Sequence, residues 1–411
     1  MLVVVAAIAW APATRAGSFE DGMTAFRASR LEDAVPLFEA AVREAPQNPD
    51  RHAWLAETLR RLDRLNDAEL EARAALARAP CHAFAHAVIG DIYNPQYSTR
   101  WERANEDTAW VHVQRAVACD STDGNAWLGA YFSSLQHGDS TLARRAMRGM
   151  IDTGILTPAT LALARWMLDG LPKGALLLTN GDFDTYPLLA VQEAEGLRPD
   201  VAVVNIPMLS LGWYARRTRD RWQLPLPDAD GDLDSLQATY DPDGQVVTLS
   251  ERIVRSWLAS AVTGRLARPL AAAVTVSGLD FTPDSRRHFQ LAGGHWVCLP
   301  DSNVAPVDTR RTRESLLALR GRDFRGAGAS PKDRSPIRNP GGEAAGGNPL
   351  RSNVFIVAGR YLQAVDGEGD RSALAGGIDW MIRFDKESGA RWPNMDRVKA
   401  MRPPVSAGGS R

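Results

Sequence analysis

Residues Gly174–Tyr214, GALLLTNGDFDTYPLLAVQEAEGLRPDVAVVNIPMLSLGWY, decide how the chain is read. Ala175 to Thr179 is an unbroken run that ends in Asn180-Gly181, the pattern of a strand buried on both faces and closed by a sharp turn. From Asp184 the spacing becomes helical. Asp184 or Thr185 is expected to cap the helix, Leu188, Leu189, Val191 and Ala194 to lie toward one side, and Gly196 to stop it. After Arg198-Pro199-Asp200 a second buried strand is expected over Val201 to Asn205. Strand, helix and strand in so few residues make a parallel unit, and open parallel sheets gather ligands beyond their carboxyl ends. That edge carries Asn180, Asp182, Asp184 and Asn205, the candidate ligand-binding residues.

Downstream of this stretch, Thr248-x-x-Glu251 is a capping box ahead of an amphipathic helix containing Ile253, Val254, Trp257 and Leu258. Ala272–Val276 and His295–Leu299 read as a third and a fourth strand, with a helix expected over Pro283–Leu291 between them. Upstream, Thr157–Leu171 reads as a helix leading in. Residues 157–320 are therefore expected to form a small parallel, Rossmann-like α/β domain. Residues 321–351, rich in Gly, Pro, Arg and Ser without an apolar period, are expected to be a flexible linker. A repeat-like helical hairpin is expected over 352–390, and a loose tail over 391–411.

The N-terminal part repeats itself. Gly22, Ala56 and Gly90 are spaced by 34 residues, as are Ala34 and Ala68, Ala41 and Ala75, and Pro46 and Pro80. This is the period of tetratricopeptide repeats, which residues 17–156 resemble. A third unit is interrupted over Asn94–Glu106, and a fourth begins at Trp127-Leu128-Gly129. Such helix pairs stack into a solenoid with a concave surface that suits a protein or peptide partner. The competing reading is that so short an array only packs within its own chain.

Formal charge is -1, which gives the molecule no electrostatic reason to seek nucleic acid. Cys81, Cys119 and Cys298 are far apart and odd in number, and are expected to be buried thiols rather than a disulfide framework or a zinc site. Cys81, His82 and His86 could in principle ligate a metal, but His86 falls on the repeat's packing register. His288, His295 and Cys298 lack the sequence context of a nucleophile and its base. Residues 1–16 read as a signal peptide or hydrophobic N-terminal remnant: an apolar run, then small residues where a peptidase would cut. Export to the periplasm or cell envelope is expected, with no transmembrane span.

Thr179-Asn180-Gly181-Asp182-x-Asp184-Thr185-Tyr186-Pro187-Leu188, then Gln192-Glu193-x-Glu195-Gly196-x-Arg198-Pro199-Asp200-Val201 and Val203-Val204-Asn205, with Trp213-Tyr214, resemble the extracytoplasmic part of a family of multi-spanning bacterial membrane proteins. That family, long catalogued as a domain of unknown function, is related to protein O-mannosyltransferases and often carries tetratricopeptide repeats. Phe183 and Ala190 depart from its pattern, and the membrane helices that would place catalytic residues in such a transferase are lacking. The resemblance implies the fold and an extracytoplasmic location rather than the transferase activity.

Asp182 and Asp184 could hold a small polar ligand such as a glycan, or, more weakly, a hard divalent cation. The structural alternative has Asp182 binding the turn's own amides and Asp184 capping the helix. No cofactor is expected. The favoured function is an exported interaction scaffold, with a membrane-bound glycosylation protein as a potential partner. The alternative is a sugar-transfer enzyme or glycan-binding domain using the Asp182/Asp184 crevice.

Overall fold

The computed structural model describes residues 17–94, 101–234, 239–240, 244, 246–276, 284–319, 349–388, 392 and 394–402. The side chains of Trp101, Asp182, Phe183 and residues 349–352 are outside that description, as are the expected signal segment 1–16 and nearly all of the expected linker. The chain divides into two compact units, residues 1–133 and 134–411, whereas the sequence places a boundary at 156/157.

The first unit is a helical solenoid. Helices α1 (Ser18–Arg27) and α2 (Leu31–Glu44) form one antiparallel pair, α3 (Pro49–Arg61) and α4 (Leu65–Arg78) the next, and α5 (Ala83–Tyr93) and α6 (Glu106–Cys119) the third; α7 (Gly124–Gln136) follows. Equivalent turns close the first two pairs. Ser29 and Asp63 both take left-handed backbone at φ 57° and 59°, and the Arg30 and Arg64 amides return to the Ala25 and Leu59 carbonyls at 3.0 and 2.9 Å.

The small residues that set the period are small for a reason. A Cβ on Gly22 would lie 2.9 Å from the Phe38 ring, and one on Gly90 would lie 2.9 Å from Val113 Cγ1. Ala34, Ala41, Ala56, Ala68 and Ala75 are fully buried between the helices. Trp54 links successive repeats, with ring centroids 5.2 Å from Phe26 and 5.0 Å from Phe84.

The cysteine expectation is corrected here. Cys81 and Cys119 form a disulfide, with their Cα atoms 5.3 Å apart, and only Cys298 is a free buried thiol. Antiparallel pairing of α5 with α6 brings the residue before the first helix to the end of the second, a neighbourhood that a separation of 38 residues in sequence conceals.

The second unit takes in the end of α7 and then α8 (Ser140–Thr153) and α9 (Pro158–Asp169), the latter capped by the Thr157 hydroxyl. A five-stranded sheet follows from β1 (Leu176–Thr179), α10 (Asp182–Glu195), β2 (Ala202–Asn205), α11 (Gly212–Trp222), α12 (Leu249–Val262), β5 (Leu270–Ala273), β6 (Phe289–Leu291) and β7 (His295–Cys298). A separate two-residue ribbon, β3 (Thr239–Tyr240) with β4 (Val246–Val247), precedes α12.

The sheet order is β2-β1-β5-β7-β6. β2, β1 and β5 are parallel, while β7 runs antiparallel to both β5 and β6. The all-parallel, Rossmann-like expectation is therefore corrected to a mixed sheet. The helix expected over Pro283–Leu291 is in its described part a short 3-10 turn, Ser285–His288, followed by β6. Gly293-Gly294 makes the hairpin to β7: Gly293 has φ 79°, and a Cβ on Gly294 would stand 2.8 Å from the Trp166 ring.

The steps β1 to β2 and β2 to β5 run in opposite directions along the sheet. Right-handed crossovers then place α10 and α12 on opposite faces, which is why β1, β2 and β5 are buried throughout.

Helices α13 (Thr309–Leu317), α14 (Pro349–Gly367), α15 (Arg371–Ser388) and α16 (Met395–Ala400) complete the unit. The hairpin of α14 with α15 is present, closing over Gly377, where a Cβ would meet Leu362 at 2.6 Å. The tail expected to be loose contributes α16, with Met395 and Val398 buried, and Trp392 stacks on Phe355 at 4.7 Å. Apolar spacing in so short a segment is too brief to announce a helix, and it forms by packing. No helix among the described residues is long and apolar enough to cross a membrane.

Candidate functional site

The topological switch point lies between β1 and β5, and the turn from β1 into α10 opens onto it. Helix α10 starts at Asp182, so Asp184 stands inside its first turn rather than before it. From there its carboxylate reaches back, with Oδ2 accepting from the Asn180 amide at 3.0 Å and Oδ1 from the Gly181 amide at 2.9 Å. The Thr275 hydroxyl, just past β5, donates to the same carboxylate. Asp184 is 3% exposed. The carboxylate thus closes the two amides just ahead of the helix.

The neighbouring polar groups satisfy one another. Thr179 Oγ1 lies 2.6 Å from Thr185 Oγ1 and 3.1 Å from the Val204 carbonyl, and the Thr185 hydroxyl donates to the Gly181 carbonyl at 2.6 Å. Asn205 Nδ2 donates to Thr185 Oγ1 at 3.2 Å, and its Oδ1 accepts from the Met208 amide at 3.3 Å. The Tyr214 hydroxyl accepts from the Asn205 amide at 3.2 Å, and burial pushes its phenol up from the ordinary value.

Of the four candidate residues, Asp184 and Asn205 are thus buried and engaged within the protein, Asn180 is exposed, and the Asp182 side chain lies outside the described residues. The threonines Thr179, Thr185 and Thr275 escape sequence reasoning. Their signal, a Thr at a strand end and another four residues after a Gly, is too common to single out.

A second construction sits at the opposite, amino edge of β1 and β2. The Arg198 guanidinium donates to the Leu168, Leu171 and Pro172 carbonyls at 2.9, 2.9 and 2.8 Å, and pairs with Asp200 at 2.9 Å. Asp200 in turn accepts from the Gly174 amide at 2.7 Å. The Arg-Pro-Asp string is therefore a brace tying the segment before β1 to the segment before β2.

The other chemical candidates do not assemble. Cys81 is oxidised, and His82 caps α5 and meets Asp50 at 3.0 Å. His86 faces His112 rather than a metal-ligand set, and among the described residues no group of three or more His, Cys, Asp or Glu side chains could hold a metal ion. Burial pushes the Cys298 thiol up to about 12, far from a reactive thiolate. His295, fully buried beside Arg311 and Arg198, is held down to about 3, and His288 bonds the Leu299 carbonyl.

In the solenoid the first helices of the second and third pairs carry few exposed side chains. Every residue of α3 from His52 to Leu59 is buried, Glu57 included, its carboxylate held below the usual range despite burial by Arg60 and Arg61. The second helices face solvent and carry the exposed apolar side chains Leu70 and Val111, 68% and 44% accessible.

Residues 160–225 match the family model of TMEM260-associated domain 2. This span runs from α9 to just past α11 and contains the whole β1–α10 turn and the Arg198 brace. Residues 25–89 match that of the tetratricopeptide repeat. Protein O-mannosyl-transferase TMEM260 of Mus musculus is 41% identical over 51 residues, 12% of this chain and 7% of the mouse protein. The chain thus spans a small fraction of that relative's length. Among solved structures, a thermophilic tetratricopeptide repeat protein of Thermus thermophilus is 19% identical, covering 50% of this chain and 95% of its own, at a TM-score of 0.32. MamA is 14% identical, covering 49% of this chain and 96% of its own, at a TM-score of 0.28.

Proposed function

We propose that this chain is an exported scaffold whose tetratricopeptide repeats hold a protein partner and whose second unit serves as a recognition module accessory to cell-envelope glycosylation. The observation that carries the reading is the pairing of a repeat solenoid with a TMEM260-associated domain in one chain. The Cys81–Cys119 disulfide supports the extracytoplasmic part, since such bonds persist in oxidising compartments. The three donors committed to Asp184 support a structural role for the turn over the sugar-transfer alternative.

The test is affinity capture from envelope extracts with the full-length protein and with Leu70→Glu/Val111→Glu, which alters only the exposed repeat surface. A membrane protein of the glycosylation machinery that the wild type retains and the double variant loses supports the proposal. Equal recovery by both, or no envelope partner, refutes it. Cell fractionation tests location, and recovery in the cytosolic fraction with Cys81 and Cys119 reduced would end the export reading.

A further inference from the structure

The second and third helical pairs carry a histidine at the same repeat position, and its surroundings differ in one respect. His52 and His86 lie 34 residues apart, and each sends Nε2 to the carbonyl of the proline that opens its repeat, His52 to Pro46 at 3.0 Å and His86 to Pro80 at 3.1 Å. The facing position on the second helix is Glu71 in α4 and His112 in α6. These are equivalent residues, since Ala68 and Ala75 map onto Ala109 and Ala116 by the same 41-residue step. His52 Nδ1 meets Glu71 Oε2 at 2.6 Å, whereas His86 Nδ1 meets His112 Nδ1 at 2.9 Å.

The two arrangements differ in what faces the ring. His52 has a carboxylate at Nδ1 and a carbonyl at Nε2. In the third pair, His86 Nε2–H is committed to Pro80, so its Nδ1 must accept from His112 Nδ1–H. Such a bond needs at least one neutral ring, and a second proton sets two cations against each other.

The surrounding charges are mostly of the wrong sign to help. Arg115 on α6 acts on both rings, Arg73 on α4 acts on His112, and His82 on α5 acts on His86; Glu69 on α4 opposes them but is engaged by Arg73, Arg103 and Tyr93. Asp50 on α3 faces His82, α7 carries no charged side chain, and Asp91 on α5, pushed up to about 6 by burial and 3.6 Å from Arg60 of α3, acts in the opposite sense as pH falls. Burial and these cations hold His86 below its ordinary value and His112 down to about 4.

We infer that the α5–α6 hairpin is an acid-sensitive joint of the solenoid, opening between its helices as His86 and His112 protonate while the Cys81–Cys119 disulfide keeps the pair tethered. The joint differs from its neighbours in how it is closed. The connection from Tyr93 to Glu106 is longer than the tight turns after α1 and α3, and the disulfide and the histidine contact bridge this hairpin. Because the native-state values are depressed, the stabilising contribution is present above the unfolded histidine value near 6.5 and is lost as pH falls from there toward about 4.

The test is hydrogen–deuterium exchange on the full-length oxidised protein at pH 7.5, 6.5, 5.5 and 5.0, with protection corrected for intrinsic rates. Protection over residues 83–93 and 106–119 is expected to fall roughly tenfold for each proton taken up per pH unit below about 6.5, while residues 49–61 and 65–78 hold theirs. His112→Glu, which copies the Glu71 arrangement and places a carboxylate near Arg73 and Arg115, should abolish the fall, and His112→Asn should reduce it. The inference is overturned if the second and third hairpins lose protection together, or if both variants behave as wild type.

Discussion

The Thr275 hydroxyl donates to the Asp184 carboxylate across 91 residues of sequence, joining the segment just past β5 to the first turn of α10. The turn's chemistry is thereby directed inward.

This geometry sets a specific mutational order. Asp184→Ala removes the acceptor for two backbone amides and a hydroxyl and is expected to cost roughly 3 kcal/mol, because buried donors left unmatched lose their hydration without recompense. Asp184→Asn keeps one acceptor but turns an NH₂ toward a donor, and should cost about 1–2 kcal/mol. Thr275→Val should cost about 1 kcal/mol alone and less in an Asp184→Ala background, a coupling that urea denaturation of the four proteins measures. Additive costs would mean the two residues act independently.

Arg198 is expected to be irreplaceable by lysine. Its fork spans three carbonyls and the Asp200 carboxylate, which a single ammonium cannot do, so Arg198→Lys should cost about 2 kcal/mol in denaturant unfolding. The Arg198 guanidinium first, then the Gly174 amide, hold the Asp200 carboxyl well below the usual carboxylate range. A depressed carboxyl stabilises the fold above its unfolded value of about 3.9 and loses that contribution as pH falls below it, so the acid limb of the stability curve should be shallower in Arg198→Lys than in wild type.

Legibility in the sequence followed the range of the interactions. The 34-residue spacing disclosed the solenoid because each small residue answers to a close approach within one or two helices, as Gly90 does to Val113. β1, α10 and β2 were legible for the same reason: each is bounded by local punctuation at Gly181, Gly196 and Pro199. The antiparallel half of the sheet was legible only in part: His295–Leu299 reads as a strand, but Phe289–Leu291 is only three residues and is made a strand by pairing with β7. Neither the Thr275 contact nor the Cys81–Cys119 bond has a local signature; both arise from topology.

The disulfide should be a large part of the first unit's stability. Closing a loop of about 38 residues corresponds to roughly 2–4 kcal/mol, and reduction or the Cys81→Ser/Cys119→Ser pair should lower the solenoid's melting temperature accordingly. Calorimetry with and without reductant measures it. Because Cys298 is a buried thiol outside this unit, Cys298→Ser should leave that reductant effect unchanged.

His295 makes the second unit acid-sensitive by a route separate from the histidine pair of the solenoid. Its ring is 1% exposed at the start of β7, and neither nitrogen has a hydrogen-bond partner among the described residues. Gly170 leaves it room, since a Cβ there would stand 3.3 Å from the ring, and Arg311, which donates to the Gly170 carbonyl at 3.3 Å, contributes an unfavourable charge. Burial first, then Arg311 and Arg198, push the ring down to about 3, so the native state holds it neutral while the unfolded chain takes up a proton near 6.5. A depressed histidine withdraws stability as pH falls through that window, by up to about 1.4 kcal/mol per pH unit. His295→Leu is expected to behave within about 1 kcal/mol of wild type at pH 8, because an apolar side chain replaces a ring that makes no polar contact among the described residues, and to be the more stable protein at pH 5. Urea unfolding at pH 8, 6.5 and 5 checks the crossover, and parallel curves for the two proteins would show that His295 does not titrate on unfolding.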